Sequence, residues 1–423
     1  MAELGVSPLQ SGDELPVDDA RAAIAAALQP VTASETLPLA QTLGRVLAAD
    51  VVSPIDVPAH DNSAMDGYAL HGADLLADTP TLLRAKPHTV FAGKPFTEAV
   101  PRGGCVRIMT GAVMPPGLDT VVPIELCTVD GHQVTLRPGV LRAGENRRKR
   151  GEDLAQGQPA LQAGRVLRPA DLGLIASLGC AHATVRRRLR VALFSTGDEI
   201  QQPGVPLAPG QIYDSNRYSL MGAIQRLGME VLDLGLVPDD PALLRAVVDR
   251  AIAEADAVVT SGGVSMGDAD HTRDILAARG EVAFWKVAMR PGRPFAFGPL
   301  QGADGKRAYL FALPGNPVAA LVTFYAFARE ALLTLAGASH TQPPRLAAKS
   351  PVAIRKRPGR TEYQRAIVSR GADGDWEVRT TGSQGAGILR SMTEANALLV
   401  LPHASGPVAA GERVEVWLFD GLV

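Results

Sequence analysis

The chain has little cysteine, few aromatic residues and almost no net charge, and each shortage argues against a class of site. Its 423 residues include three cysteines, Cys105, Cys127 and Cys180, which lie far apart and show no CxxC spacing. Such cysteines predict neither a disulfide framework nor a thiolate zinc site. Aromatic residues make up 4% of the chain, which argues against a surface that stacks bases. The formal net charge of −2 gives no global field to attract nucleic acid or an anionic membrane.

Long apolar runs are also absent from the sequence. No stretch reaches the roughly 18 consecutive apolar residues of a membrane-spanning helix. Glu3, Asp13 and Glu14 precede any apolar segment near the N-terminus. We therefore expect neither secretion nor membrane anchoring, and no nucleic acid or membrane as a partner. The cysteine pattern favours a reducing, cytoplasmic location.

The residue composition and the apolar pattern change several times along the sequence, which predicts a modular α/β protein of about three or more domains. An alanine-rich helix is expected from 17 to 29, and a second from Pro169 to a C-terminal cap at Gly179. After 338, alternating segments with Gly-rich turns predict a small antiparallel barrel or sandwich. The first predicted region is an extended discontinuous N-terminal domain at 1–53 plus 147–187, into which a small β domain at 54–146 is inserted. An α/β domain at 188–338 and a C-terminal β domain at 339–423 follow.

The region 188–338 alternates apolar runs with helical patterns, which is typical of parallel βαβ units. The expected strands are RVALFST, EVLDLGLV, ADAVVTSG, VAFWKVA and RAYLFALPG, and the expected helices are 216–227, 241–253, 270–278 and a last one from Pro317 to Leu335. Ligands of open parallel sheets bind beyond the carboxyl ends of the strands. Three polar motifs fall at such ends: STGDE at 195–199, TSGGVSMGDAD at 260–270 and LPGNP at 313–317.

The loop at 260–270 carries residue types that can hold a phosphate and a metal together. Gly262 and Gly263 allow backbone conformations in which consecutive amides converge on an anion. Hydroxyl and carboxyl groups surround them, at Ser261, Ser265, Asp268 and Asp270. Those carboxylates are placed for a divalent cation that bridges to the phosphate. The alternative is a plain tight turn, which is common between a strand and a helix.

The sharpest charge cluster of the chain is NRRKRGED at 146–153. One interpretation is a solvated linker between two domains. The other is a hinge that contacts an anion. The sequence leaves both open.

Several motifs together resemble the MoeA family, the molybdopterin molybdenumtransferases, whose relatives include the C-terminal domain of gephyrin. The most specific pair is DNSAMDGYAL at 61–70 and LPGNPVAA at 313–320. The others are RIMTGA at 107–112, GED at 151–153, STGDE at 195–199, YDSNR at 213–217, SGGVSMGDAD at 261–270, FWKVAMRPGRP at 284–294 and TGSQGAG at 381–387. The resemblance covers nearly the whole chain.

The resemblance implies the last step of molybdenum cofactor assembly. In that step adenylylated molybdopterin and molybdate give the cofactor and AMP, with help from a divalent metal, usually Mg²⁺. It also implies a central α/β domain like that of MogA, a homodimer, and a MogA-type adenylyltransferase and molybdoenzyme chaperones as partners. A monomer would leave the apolar helices of the extended first domain poorly covered, so we expect a second copy to bury them.

Such anionic substrates require fixed positive charge at the site. Lys286, Arg290 and Arg293 follow a predicted strand, and the resemblance implies that Lys286 and Arg290 bind molybdate or phosphate. Some relatives have lysine in place of Arg290, which keeps the charge but changes its geometry. A solvated basic edge is the alternative for all three residues.

Two further substrate-binding candidates are Asn316 in LPGNP and Arg365 in the C-terminal region. Arg365 resembles the arginine with which the family contacts a substrate anion across a domain or subunit gap. At Ala386 relatives often have serine, so a hydroxyl contact is in doubt there, and Ser383 is only a weak substitute.

Acidic and hydroxyl residues in the family motifs are candidates for catalysis, metal binding or pterin contacts. The catalytic candidates are Glu199, Asp270, Asp66, Asp153 and Thr110, and Asp239 is a substrate-binding candidate. Glu199 and Asp270 are the predicted metal ligands, because each lies just past a strand end of one sheet. The alternatives are a helix start for Asp239, an Asx-type turn for Asp66 and a strand end for Thr110.

Two other functions remain as alternatives. A molybdopterin adenylyltransferase of the MogA type shares the central fold and the SGGVS loop, but such chains are about one domain long. A scaffold in the manner of gephyrin would keep the catalytic fold for assembly, but nothing in this chain resembles an added interaction region.

Overall fold

The first helix packs on the sheet of the α/β region rather than on a neighbouring N-terminal element. The computed structural model of the protein describes residues 14–263, 271–302 and 305–419. Helix α1 (Val17–Ala27) has Asp18 and Asp19 in its first turn, where they favour the helix dipole. Its apolar face joins the largest hydrophobic core of the chain, together with Phe295 and Phe297. One chain therefore already covers this helix, so its apolar face gives no argument for a second copy.

A small sheet follows the two short strands β1 (Ser34–Pro38) and β2 (Val51–Val52). Its region contains β3 (Asn62–Ser63), β4 (Gly67–Leu70), β5 (Thr81–Val90), β6 (Gly104–Ile108), β7 (Thr120–Pro123), β8 (Cys127–Asp130) and β9 (Gln133–Leu136). The six-stranded sheet has the order β7-β4-β6-β5-β9-β8 and buries an apolar cluster on each face. The Val-rich and Gly-rich texture after residue 51 thus corresponds to β structure.

The chain then returns and pairs with the strands that it left before this sheet. The returning elements are β10 (Arg147–Arg148), β11 (Pro159–Leu161), helix α2 (Pro169–Ser177) and β12 (His182–Arg186). The antiparallel pairs are β10 with β3, β11 with β2, and β12 with β1. Helix α2 begins at the predicted proline, and Gly179 follows it with φ +79°, as a glycine cap requires. The exact boundaries of the four regions stay a prediction.

The α/β region forms a six-stranded sheet with helices on both faces. Its elements are β13 (Arg190–Thr196), β14 (Ile200–Gln201), β15 (Ile212–Tyr213), α3 (Asn216–Arg226), β16 (Glu230–Val237), α4 (Pro241–Glu254), β17 (Ala257–Ser261), α5 (His271–Ala278), β18 (Ala283–Lys286), β19 (Met289–Arg290), β20 (Pro294–Gln301) and β21 (Arg307–Leu313). The strand order is β16-β13-β17-β21-β20-β18. Strands β16, β13, β17 and β21 are parallel, which confirms a mainly parallel sheet.

The remaining two strands correct the expectation of uninterrupted parallel units. Strand β20 was not predicted, and it pairs antiparallel with both β21 and β18. A second reversal restores the direction, so β18 runs the same way as β21. The segment after β18 therefore still begins at the carboxyl edge of the parallel strands.

A long buried helical run follows the last parallel strand. It consists of α6 (Pro317–Thr323), one π-helical turn (Phe324–Ala328) and α7 (Arg329–Leu335). In the described part of the chain, this run is the one that is long and apolar enough to cross a membrane, and 89% of that window is buried inside the fold. Its place is the core beneath the sheet.

The C-terminal region closes into a five-stranded barrel, one of the two folds that the alternating pattern predicts, although one of its strand pairs is parallel rather than antiparallel. Its elements are β22 (Arg345–Lys349), β23 (Thr361–Arg370), β24 (Trp376–Thr380), α8 (Arg390–Glu394), β25 (Ala397–Leu401) and β26 (Arg413–Leu418). The order β23-β24-β22-β26-β25 returns to β23 through a further pairing. Strand β19 pairs with the start of β23, so the segment after β18 is attached to the barrel.

Candidate functional site

A cavity of about 880 Å³ lies beyond the carboxyl ends of the parallel strands. Three segments that follow β13, β17 and β21 supply much of its wall: Thr196 to Glu199, Gly262 with Gly263, and Pro314 to Asn316. This is the position in which open parallel sheets bind ligands. The structure therefore brings the three strand-end motifs into one site.

Two glycines allow these segments to approach each other closely. Gly262 has φ +93°, and a Cβ atom on it would lie 2.5 Å from the carbonyl oxygen of Thr196. Gly197 has φ +140°, and a Cβ atom there would lie 2.5 Å from Oε2 of Glu199. The Glu199 carboxylate is thus folded back over the backbone of its own loop. Any side chain at either glycine would push the two strand-end loops or this carboxylate out of place.

Basic residues also line the cavity. Arg290 lines it from β19, Arg293 from the turn after β19, and Arg360 from the position before β23. Gly292 has φ +95°, and a Cβ atom on it would lie 2.2 Å from Oγ1 of Thr323, so the loop is pressed against the buried helix. Glu14 forms ion pairs with both Arg293 and Arg360. Three arginines therefore line the same cavity as Glu199 and the glycine loop, and two of them are paired with Glu14.

A second cavity of about 690 Å³ adjoins the first and is strongly basic. The two cavities share Arg290, Pro291, Arg360 and Gln384. The second is lined further by Arg355, Lys356, Arg357 and Arg365. Glu362 is the only carboxylate among its described lining residues, and that carboxylate accepts a hydrogen bond from Gln364. Such a surplus of positive charge suits a small oxyanion.

Arg365 is the most unusual side chain of this second cavity, because it is a fully buried arginine that has no carboxylate partner among the residues that the structure describes. Its Nε donates to Oγ of Ser391 at 3.0 Å, and its Nη2 donates to the carbonyl oxygens of Gly385 at 3.1 Å and Ser383 at 3.4 Å. Its Nη1 is buried and has no partner. Burial, and then the nearby charge of Arg290, lower the pKa of Arg365 to about 10. An anion bound in this cavity would offset the charge of the guanidinium through space, because the buried Nη1 has no surface on which a ligand could make contact.

Seven of the predicted site residues line the first cavity, and Arg365 lines the second. The seven are Glu199, Asp239, Gly262, Gly263, Arg290, Arg293 and Asn316. The predicted residues Ser265, Asp268 and Asp270 lie outside the described residues. Ala386 also lines the first cavity, so no hydroxyl group is available from that position.

Two predicted substrate contacts lie away from both cavities. The Ser261 side chain is buried, and its hydroxyl accepts a hydrogen bond from Nδ2 of Asn216 at 2.7 Å. Lys286 is the last residue of β18, and its carbonyl oxygen accepts from the backbone of Leu15. Neither side chain is a lining residue of either cavity. The structure therefore does not bring these two residues to the ligand-facing surface of the single chain.

The candidates in and beside the inserted sheet also lie outside the cavities. Oδ1 of Asp66 accepts hydrogen bonds from the backbone nitrogen of Thr110 at 2.7 Å and from its hydroxyl at 2.6 Å. These two bonds, the hydroxyl first, lower the pKa of Asp66. Asp153 is exposed near the start of the returning segment, and its backbone nitrogen donates to the carbonyl oxygen of Val57. Within one chain, these three residues do not meet Glu199.

The charge cluster at 146–153 contains two arginines that form ion pairs, and its role as a linker or as an anion-contacting hinge stays a prediction. Arg147 forms an ion pair with Asp61 at 3.5 Å, and Arg150 forms one with Asp56 at 2.6 Å. Its first two arginines also form strand β10. The cluster therefore ties the returning chain to the segment that precedes the inserted sheet.

Among the described residues, no group of three or more His, Cys, Asp or Glu side chains is placed to hold a metal. Of the predicted metal ligands, Glu199 lies in the first cavity, and Asp270 lies outside the described residues. Glu199 and Asp239 give that cavity two carboxylates, whose oxygens are the ligand type that Mg²⁺ prefers. Two carboxylates could supply only part of the coordination of such an ion, and a substrate phosphate or water would have to supply the rest.

Sequence reasoning missed Arg360, Gln384 and Asn216. Arg360 ends the basic run RKRPGR at 355–360, and this run was a readable signal. Gln384 lies in TGSQGAG, where only the position of Ala386 was considered. Asn216 lies within YDSNR, whose role depends on contacts that no local pattern specifies.

Three family models match successive parts of the chain. They are the MoeA N-terminal region (domain I and II) at residues 15–179, the probable molybdopterin binding domain at 192–334, and the MoeA C-terminal region (domain IV) at 347–419. Together they leave only short segments unmatched.

Relatives match along nearly the whole length. The molybdopterin molybdenumtransferase of Haemophilus influenzae is 40% identical over 410 residues, which are 97% of this chain and 100% of that protein. The molybdopterin molybdenumtransferase of Nostoc sp. is 37% identical, over 88% of this chain and 86% of its own length. The crystal structure of the molybdopterin biosynthesis moeA protein from Pyrococcus horikoshii OT3 matches with a TM-score of 0.82 and 27% identity, and the match covers 96% of this chain and 100% of that one.

Proposed function

The chain belongs to the MoeA family of molybdopterin molybdenumtransferases, and from this premise we propose that it inserts molybdate into adenylylated molybdopterin and releases AMP. This transfer is the last step of molybdenum cofactor biosynthesis. The observation that carries the proposal is the pair of adjoining cavities at the strand ends, one with glycine loops and carboxylates and the other strongly basic. A nucleotide-bearing substrate and a small oxyanion need these two environments side by side.

The first cavity suits the phosphate-bearing substrate. Its volume lies in the range of roughly 300 to 1,000 Å³ that is typical of small-molecule sites. Breaking a phosphate anhydride leaves negative charge on the departing oxygens, and Arg290 and Arg293 are placed to stabilise it. Gly262 and Gly263 line the cavity without side chains, so a substrate phosphate could approach the backbone there. Glu199 faces the same space and can orient a water molecule or a metal ligand.

We propose that Mg²⁺ assists the reaction and that Glu199 and Asp239 hold it, with Asp270 as a further ligand. When bound, this ion would neutralise charge on the anhydride oxygens. The support in this chain is the presence of two carboxylates in a cavity that three arginines also line. The carboxylates balance part of that charge in the absence of substrate.

We propose that the second cavity binds molybdate through Arg365 and Arg290. The support is the charge of the buried Arg365 guanidinium, which borders this cavity and has no carboxylate partner among the described residues. Molybdate bound there would lie beside Arg290, which also lines the first cavity. The oxyanion would thereby be held next to the substrate that receives it. Arg355 and Arg357 line the same cavity and add to its positive charge.

We propose that the protein is a cytoplasmic homodimer in which Asp66, Thr110 and Asp153 act at the cavity of the other subunit. The support is their position outside both cavities of their own chain, together with the motifs that contain them. A MogA-type adenylyltransferase is the proposed source of the substrate, and molybdoenzyme chaperones are the proposed recipients of the product.

Subunit complementation tests the dimer. Asp66→Ala and Glu199→Ala chains, each inactive alone, should regain about a quarter of wild-type activity when unfolded and refolded together, because half of the molecules are mixed dimers with one intact site. A mass near that of one chain in light scattering, or no regained activity, would overturn this arrangement.

Direct assay tests the reaction itself. Purified protein with adenylylated molybdopterin, molybdate and Mg²⁺ should release AMP and yield cofactor that reconstitutes an apo-molybdoenzyme. Arg290→Ala should lose most of this activity. The matched control is Arg307→Ala, at the opposite end of the same sheet, which should keep it. No AMP release at any molybdate concentration would refute the function, and ATP consumption without molybdate would favour an adenylyltransferase.

A further inference from the structure

The motif YDSNR at 213–217 has no role in the chemistry above, yet its side chains are among the most buried polar groups near the site. Asp214, Asn216 and Arg217 are 2%, 8% and 5% exposed. None of them lines either cavity. We propose that Asn216 is a positioning residue, which holds two walls of the first cavity at a fixed separation through hydrogen bonds beneath them. This inference rests on the proposed function.

The side-chain amide of Asn216 joins the ends of two neighbouring strands. Its Nδ2 donates to Oγ of Ser261 at 2.7 Å and to the carbonyl oxygen of Gly315 at 2.6 Å. A carbonyl oxygen can only accept, so the amide nitrogen has to face Gly315. Ser261 ends β17, and Gly315 follows β21, its partner in the sheet. One amide group therefore connects the glycine loop with the loop that carries Asn316.

The same motif holds a third strand end. Oδ1 of Asp214 accepts from Oγ of Ser195 at 3.1 Å, near the end of β13. Arg217 fixes this carboxylate by donating to its Oδ2 at 3.0 Å, and it reaches Asp233 at 2.6 Å with its Nη1. Hydrogen bonds to Asp233 and Asp214 raise the pKa of Arg217 against the opposing effect of burial, which is the largest single contribution. The start of α3 is thus bonded to all three strand ends that bear site residues.

These bonds matter because the strand-end loops that they hold are packed closely against each other. The backbone of Gly262 already lies so close to Thr196 that a single added methyl group would not fit. Loss of the hydrogen bonds of Asn216 and Asp214 would let the strand-end loops separate. The glycine amides would then no longer meet the phosphate held by Arg290. A misplacement of about 1 Å at a reacting group can cost roughly 100-fold in rate. The hydrogen bonds of Asn216, which we call the Asn216 tie, therefore affect turnover although Asn216 does not contact the substrate.

The tie also gives Ser261 a different role from substrate binding. Its hydroxyl is buried and already bonded to Asn216. We expect Ser261 to act through Asn216, by holding the amide in the orientation that reaches Gly315. The two residues should then behave as one unit in mutational tests.

A double-mutant cycle on turnover tests this coupling. Asn216→Ala should lower kcat about 10- to 100-fold, and Ser261→Ala should lower it less. The double variant should be no slower than Asn216→Ala alone, because the bond is already lost. Asn216→Asp should be at least as slow as Asn216→Ala, because a carboxylate would face the Gly315 carbonyl oxygen. Independent, multiplying effects, with a large KM increase for Ser261→Ala, would overturn the proposal and make Ser261 a substrate contact.

Hydrogen exchange gives a readout that needs no activity. In the full-length Asn216→Ala protein without substrate, amides at 257–263 and 311–317 should exchange at least about tenfold faster than in the wild type. The control is Asn396→Ala, because that side-chain amide also makes two hydrogen bonds, to the backbone nitrogen and carbonyl oxygen of Val368 at 2.7 and 2.9 Å, but in the barrel. It should leave kcat and the exchange of both segments unchanged.

Failures of the two proposals are distinguishable. Wild-type protein that releases no AMP would refute the proposed reaction. The amide exchange of Asn216→Ala against that of the wild type would still test the positioning role of Asn216. Unchanged exchange and unchanged kcat in an active Asn216→Ala protein would refute the tie alone.

Discussion

Replacing Arg365 with methionine should abolish activity while leaving the stability of the fold almost unchanged. Methionine has a similar length and no charge, so it can fill the space of the buried side chain. The unpaired Nη1 atom and the lowered pKa show that the guanidinium is held at a cost to the folded state.

The expected change in stability follows from two opposing contributions. Lowering the pKa of Arg365 to about 10 corresponds to an upper limit of roughly 3 kcal/mol, which the methionine variant would regain. The folded chain holds this proton less tightly than the unfolded chain, so the cost is present in full below pH of about 10 and fades as pH rises above it. Against this gain, the bonds to Ser391, Gly385 and Ser383 are lost, at roughly 1 kcal/mol each. The net change should lie within about 1 kcal/mol.

The expected loss of activity is much larger. Removing one preorganised donor from an oxyanion costs roughly 100- to 1,000-fold in rate. AMP release at several molybdate concentrations measures this loss, and urea unfolding at neutral pH, followed by the fluorescence of Trp376 and Trp417, measures stability. Arg370→Met is the matched control, because Arg370 ends the same strand on the exposed side and stacks on Trp376. It should keep full activity.

Arg365→Lys adds a second comparison, because lysine keeps the charge but loses the planar fork. It should retain part of the molybdate response. A methionine variant that is destabilised by 3 kcal/mol or more on this scale, yet keeps a normal molybdate dependence, would refute the reasoning and make Arg365 a structural residue.

Three other predictions test the first cavity. Gly262→Ala should lower the free energy of unfolding in urea by about 3 kcal/mol and abolish most of the AMP release. Gly204→Ala, with the same φ of +93° in open space, should lower the free energy of unfolding by only about 1 kcal/mol. Equal effects would mean that the contact with Thr196 is unimportant. Glu199→Gln should slow turnover at least about 100-fold at an unchanged melting temperature, with Glu281→Gln as an active control, and full activity would remove Glu199 from the mechanism. EDTA should stop AMP release and Mg²⁺ should restore it, whereas activity that survives exhaustive chelation would exclude the proposed metal.

Much of the architecture was readable from local pattern. The positions of α3 and α4 and the strand ends of STGDE and LPGNP agree with the structure, because apolar periodicity, Pro at a helix start and polar motifs at strand ends act over a few residues. Strand β20 was missed because Gly298 and Pro299 interrupt its apolar run. Its antiparallel direction depends on pairing with β21 and not on its own composition.

The candidate site shows the same difference between what local pattern predicts and what tertiary packing decides. Local pattern could select Glu199, Gly262 and Arg290, because carboxylates, glycines and arginines have recognisable chemistry at strand ends. It could not show that Asn216 reaches Gly315, 99 positions away, or that Arg365 is buried beside Arg290 without a carboxylate. Contacts of this kind depend on how distant segments pack, which no window of the sequence contains. The residue types of the site are therefore a property of the sequence, whereas their separation, burial and division between two adjoining cavities arise only when the strand ends, the basic loop and the barrel come together.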